Sequence, residues 1–141
     1  MKIFKFGGAS VKDAEGVRNL TDILRKYTPK NLLVVVSAMG KTTNALESLV
    51  DACFYKKNTL HDSLSKLRES HQSIIHELFG ETALMWVNEV ENLFLELECL
   101  VDNENLQDDY DFLYDQVVVY GELISTRIVS AYLLSQGIRN Q

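Results

Sequence analysis

The sequence predicts an α/β fold built on a parallel sheet, and three observations lead there. Two short strand-like runs, residues 2–6 and 32–36, each end in a glycine-containing loop and run into a helical pattern. The second run, Leu32 to Val36, is wholly apolar and rich in valine, which predicts a strand buried on both faces by covering helices. The rest of the 141 residues is dominated by apolar stripes at helical spacing.

In chain order, residues 2–6 alternate as a strand and stop at Gly7-Gly8. Residues 12–27 form a helix with Val17, Leu20, Ile23, Leu24 and Tyr27 on one face, capped by Ser10 or Asp13 and broken by Thr28-Pro29-Lys30-Asn31. After the second strand, Ser37-Ala38-Met39-Gly40 is a loop, and residues 43–55 are helical with Leu46, Leu49, Val50 and Cys53 or Phe54 inward. Strand, loop, helix, strand, loop, helix favours parallel pairing, and ligands of such sheets lie outside the carboxyl ends of the strands. Both loops fall at those ends.

From 60 to 103 two helical stripes flank Gly80: Leu64, Leu67, His71, Ile74 or Ile75 and Leu78, then Leu84, Val87, Val90, Leu93 or Phe94, Leu97 and Leu100 or Val101. They predict a helical hairpin inserted between α/β units. Asp102 to Asp111 is an acidic loop, and a single last helix covers 113–136, closed by Gly137. Two strands are too few for a sheet that serves this many helices, so the expectation is one half of a larger domain.

The net charge of −6 is uneven: ten Lys/Arg against five Asp/Glu up to residue 60, four against fifteen beyond it. The basic segment welcomes an anionic ligand; the acidic one is a poor surface for nucleic acid. Cys53 and Cys99, with no CxxC, imply buried free thiols rather than a disulfide or a zinc site. The N-terminal run is too short for a signal peptide or a membrane span, which leaves a cytoplasmic location and no membrane partner as the expectation.

Two adjacent glycines after a strand let the backbone approach an anion, and the helix that follows turns its positive end to the same place. Lys5 adds a point charge. A plain tight turn explains Gly-Gly alone at least as often. Gly40-Lys41-Thr42 is not a Walker-type loop, because the pattern needs glycine at 35, which is Val35. Ser37, Thr42, Thr43 and Asn44 offer hydroxyl and amide groups near a strand end; N-capping by Thr42 or Thr43 is the bland alternative. Glu122, after Gly121, is either solvated or a partner for an ammonium group. His76-Glu77 lacks the second histidine of a zinc motif, position 80 being Gly80, and His71 and His76 are expected at surface or half-buried structural positions.

Lys5-Phe6-Gly7-Gly8-Ala9-Ser10-Val11 resembles the KFGGTSV signature of aspartate kinases. Val34-Val35-Val36-Ser37-Ala38-Met39-Gly40 with Thr43-Asn44 resembles their V-S-A…G…T-N segment, and Tyr120-Gly121-Glu122-Leu123-Ile124-Ser125 their G-E-x-x-S segment. The resemblance spans the chain. It implies the three-layer αβα amino-acid kinase fold with a mostly parallel sheet, here its N-terminal half with the hairpin insert: 1–59 an α/β segment, 60–103 the insert, 104–141 the acidic loop and helix. It implies transfer of the γ-phosphoryl of ATP, with Mg2+, to the side-chain carboxylate of L-aspartate, in the pathway to lysine, threonine and methionine.

By the same resemblance, Lys5 neutralises charge on the transferring group, and Gly7, Gly8, Ala9 and Ser10 form the phosphate loop. Ser37 and Thr43 line the aspartate pocket, and Glu122 meets the α-ammonium group. Ala9 departs from the family's threonine and removes a hydroxyl. The family's later R-G-G-S-D segment and most of its ATP pocket lie outside these 141 residues, so the isolated chain is expected to be inactive. The alternatives are a non-catalytic binding or assembly module, whose exposed apolar surface would make a homodimer, and another amino-acid kinase.

Overall fold

The computed structural model describes residues 1–27, 31–106 and 108–141, and of Leu106 the backbone alone. Strand β1 (Lys2–Phe6) leads through a single 3₁₀ turn (Gly8–Val11) into helix α1 (Ala14–Lys26), and strand β2 (Leu32–Val36) leads into α2 (Thr42–Phe54). Helices α3 (Leu60–Phe79) and α4 (Ala83–Val101) form the hairpin, and α5 (Tyr110–Val118) and α6 (Tyr120–Ser135) follow. The strands pair in parallel with Lys2 opposite Leu32 and Phe6 opposite Val36, as the loop-helix connection requires.

Asp13, not Ser10, caps α1: its Oδ1 accepts from the Gly16 amide at 2.9 Å. Of the proposed breaker, Thr28-Pro29-Lys30-Asn31, the first three lie outside the described residues. Val17, Leu20 and Leu24 are buried as the spacing predicts, but Tyr27 is exposed and only edges its ring onto Phe4. In α2, Leu46, Leu49, Val50 and Cys53 point inward.

The expectation of a strand buried on both faces is corrected. Phe4, Phe6, Leu32, Val34 and Val36 pack on the core, whereas Ile3, Leu33 and Val35 of the other face are 59%, 48% and 40% exposed. Among the described residues nothing covers that face. A wholly apolar, valine-rich run therefore marked a capacity for two-sided burial that this length of chain uses on one side.

The hairpin is no satellite. Leu64, Leu67 and Ile75 of α3 and Val90, Phe94, Leu97 and Val101 of α4 share one continuous core with α1, α2, α5 and α6. Arg68 clasps the hairpin between Glu91 at 3.2 Å and Glu98 at 2.8 Å. Gly80, at φ 54°, supplies the left-handed backbone that turns α3 into α4. Leu84, assigned to the inner stripe, is 68% exposed; Ala83 beside it is buried instead. Cys53 is buried, but Cys99 is exposed, contrary to expectation.

The predicted single last helix is two. It starts earlier, at Tyr110, where Asp109 accepts from the Phe112 amide at 3.1 Å, and it is interrupted at Val119. By length and composition alone the Tyr110–Ser135 stretch would suffice to cross a membrane, yet its apolar face is spent on the core. Gly137 ends α6 as foreseen: at φ 77° its amide bonds to the Leu134 carbonyl while Ile138 reaches back to Leu133, a Schellman closure.

Candidate active site

The loops leaving β1 and β2 lie against each other. The Ser37 amide donates to the Phe6 carbonyl and the Gly40 amide to the Gly8 carbonyl, both at 3.0 Å. The approach is so close that a Cβ on Gly8 would stand 2.6 Å from the Ala38 carbonyl oxygen and 3.2 Å from that of Gly40. No side chain fits there. Gly7, its neighbour, is the opposite: extended at φ −73°, with nothing within 4 Å of where a Cβ would be. Of the two glycines, one seals the loops together and the other leaves open space at the end of the strand.

The start of α6 reaches the same place from the far end of the sequence. A Cβ on Gly121 would lie 2.8 Å from Ala38 Cβ and 3.2 Å from Leu46 Cδ1. Ala38 is thus pressed between Gly8 and Gly121. One turn on, the buried Ser125 hydroxyl donates to the Ser37 carbonyl at 2.8 Å. These contacts pair an otherwise free carbonyl at the strand end and fix the height of α6 against β2. Helix α5 keeps this register because Tyr110 donates to Asp51 at 2.8 Å and Tyr114 to Glu47 at 2.9 Å, both on α2. Those carboxylates push the two phenols above their ordinary pKa.

The residues singled out from sequence fall around this junction. Lys5 is exposed on the uncovered sheet face opposite Val35, one residue before the strand end. Gly7, Ala9 and Ser10 are exposed in the first loop, with the Ser10 amide bonded to the Gly7 carbonyl at 2.9 Å. Ser37 and Thr43 are half-buried, and Glu122 is exposed beside Gly121. The loops and the helix start meet, but none of the three cavities described for the chain is lined by Lys5, Thr43 or Glu122.

Neither Thr42 nor Thr43 caps α2; Lys41 holds that position without a side-chain bond. Thr42 is buried and turns its hydroxyl to His71 Nε2 at 3.3 Å. His71, expected at or near the surface, is 1% exposed. Its Nδ1 lies 2.8 Å from the Leu67 carbonyl, which accepts only, so Nδ1 carries the proton and Nε2 accepts from Thr42. Burial lowers its pKa below the ordinary imidazole value, with the Leu67 bond opposing in part. Sequence reasoning assigned no role to Ser125 or to this pair. The signal for Ser125 was a small hydroxyl residue in an apolar stripe; for His71 it was its place in the inward stripe of α3.

Among the described residues no group of three His, Cys, Asp or Glu side chains stands ready for a metal ion. Charge at the junction comes instead from Lys5, from backbone amides and from the helix starts, which suit an anion, and from the Glu122 carboxylate, which suits a cationic group.

The chain and its fold have counterparts among known proteins. The chain is 32% identical over 143 residues to chloroplastic aspartokinase 1 of Arabidopsis thaliana, covering 97% of this chain and 24% of that protein. It superposes on E. coli aspartokinase III solved with aspartate and ADP (TM-score 0.81, 27% identity, all of this chain and 30% of that one). The form solved with lysine and aspartate matches equally well (TM-score 0.83, 26% identity, 99% and 30%). The 141 residues therefore span 24% to 30% of the length of these relatives. The model describing the amino acid kinase family matches residues 1–141 from end to end, and the chain belongs to that family.

Proposed function

We propose that these residues are the N-terminal part of an aspartate kinase catalytic domain, which transfers the γ-phosphoryl group of ATP to the side-chain carboxylate of L-aspartate. The observation that carries this reading is Ala38 held between Gly8 and Gly121. It supports one site from three segments far apart in sequence, the same three that resemble aspartate kinases. That E. coli aspartokinase III binds aspartate and ADP is further support.

In this reading ATP supplies the phosphoryl group, and the chain's own residues bind and orient. The space over Gly7 admits phosphate oxygens to the amides of Gly7 and Gly8, with Ser10 beside them. Lys5 offsets the charge that gathers when a carboxylate approaches a polyphosphate, a reaction governed by positioning and electrostatics. Ser37 and Thr43 offer hydroxyls to the amino acid, and Glu122 pairs with its ammonium group. Ala9 leaves one hydroxyl fewer in the loop. No protein cage for Mg2+ exists among the described residues, so no step is assigned to it. The isolated chain is inactive, its residues forming one side of the site; the whole protein works in the cytoplasm as a homodimer, without nucleic acid.

The test is a coupled assay with aspartate and ATP on the protein that carries these residues together with the remaining kinase segments. Glu122→Gln raises the KM for aspartate by about tenfold or more, the equivalent of one lost charge-assisted contact, and leaves the KM for ATP in place. Turnover by the 141 residues alone refutes the inactivity of the isolated chain; no turnover of aspartate by the complete protein, or an aspartate KM unchanged in Glu122→Gln, refutes the reading of the site.

A further inference from the structure

A second concave site lies on the other side of the Gly40 loop. It is a cavity of about 460 Å³ between the start of α2, the middle of α3 and the turn at Lys12. Three lysines, Lys12, Lys41 and Lys66, line it, and no carboxylate does. In a chain of net charge −6, whose residues from 61 onward are strongly acidic, that concentration of one sign is unusual. Nothing neutralises it internally: among the described residues Lys41 and Lys66 make no ion pair, and Lys12 has only a loose one with Asp13 at 3.9 Å. Lysines gathered at a concave wall focus potential into the hollow.

The back wall is preformed. His71 is buried and neutral, with Nδ1 donating to the Leu67 carbonyl and Nε2 accepting from Thr42, so it holds the wall without adding charge. Met39, Leu67 and Ile74 make an apolar floor, and the Ser63 hydroxyl at the rim makes no hydrogen bond within the chain among the described residues. The volume lies in the range of small-molecule sites, and positive rim over apolar floor defines the ligand class.

We propose that this cavity binds a small organic anion carrying two or more carboxylate or phosphate groups, its charges met by Lys12, Lys41 and Lys66 and its carbon skeleton on the floor. It is separate from the kinase site: Lys5, Ser37, Thr43 and Glu122 do not line it. The proposal stands whether or not the substrate is aspartate.

The experiment is a ¹H–¹⁵N NMR titration of the 141-residue chain with citrate and, separately, with inorganic pyrophosphate. Saturable shifts confined to Lys12 and its neighbours and to residues 39–48 and 63–74 are expected, and the tighter of the two probes tells carboxylate from phosphate. Lys66→Ala weakens binding about tenfold, one charge-assisted contact, and the charge reversal Lys66→Glu abolishes it. Both changes are at an exposed position, so the unperturbed spectrum reports that the fold is kept. Lys5→Ala leaves binding unchanged. Shifts that never saturate, that spread over all lysines, or that survive Lys66→Glu overturn the proposal. Shifts that centre on residues 5–10 and vanish in Lys5→Ala overturn it too, and place the anion in the Gly7-Gly8 loop.

Discussion

Replacing Gly121 by alanine tests the junction at its tightest point. In an exposed helix the change would stabilise by about 1 kcal/mol, because glycine is the poorer helix former. Here the added methyl would stand 2.8 Å from Ala38 Cβ and 3.2 Å from Leu46 Cδ1. Carbon atoms are at rest near 3.5–4.0 Å, so α6 must withdraw by roughly 1 Å. That withdrawal acts on the 2.8 Å bond from Ser125 to the Ser37 carbonyl and takes it beyond good hydrogen-bond length. Overpacking of this kind costs about 1–3 kcal/mol, and a weakened buried bond adds about 1. Against the helix-propensity gain, the net is a loss of about 1–3 kcal/mol. Urea unfolding followed by circular dichroism should show the midpoint falling with the slope unchanged. Removing the opposing methyl, in the double variant with Ala38→Gly, should recover about 1 kcal/mol or more as coupling between the two sites. A Gly121→Ala chain more stable than its parent, or a double variant with no coupling, would refute the reasoning.

The two loop glycines should separate cleanly: Gly8→Ala, driven against the Ala38 carbonyl, costs about 2–3 kcal/mol in urea unfolding, whereas Gly7→Ala, in open space at an ordinary φ, changes stability by less than about 1. Ser125→Ala leaves the Ser37 carbonyl without its donor and lowers stability by about 1–2 kcal/mol, and the amides of residues 36–40 exchange faster with deuterium. His71 predicts a pH dependence. Its folded pKa is below the ordinary 6.5, so the unfolded chain binds the extra proton first, and stability is complete above 6.5 and declines as pH falls below it. Comparing urea midpoints on either side of that pH checks this, and His71→Gln should flatten the decline.

Much of this was written locally. Alternation in residues 2–6, the valine run of β2 and the helical stripes of α1 to α4 follow from periods of 2 and 3.6, which any short window of sequence displays. The Asp13 cap and the Gly137 closure are likewise one-turn chemistry. Lys5, Gly7, Gly8, Ser37, Thr43 and Glu122 could be singled out because glycines, hydroxyls and charges at strand ends and helix starts stand out within a few residues; the structure brings their segments together at Ala38 but lines none of the three described cavities with Lys5, Thr43 or Glu122.

What local pattern does not carry is who presses on whom. Gly7 and Gly8 look alike in sequence, yet one faces space and the other a carbonyl oxygen 30 residues away in the chain. Thr42 resembled a cap, and its hydroxyl went to a histidine in the next helix because burial made an unpaired imidazole costly. A valine run states that a strand tolerates apolar cover on both sides, while the supply of cover is a property of everything folded around it. By itself the sequence determined the two strands, the helical stripes up to α4, and the Asp13 cap and Gly137 closure at the ends of helices. The tertiary structure alone decided the meeting of three distant segments at Ala38, because steric exclusion and hydrogen-bond pairing act between atoms close in space, at whatever separation along the chain.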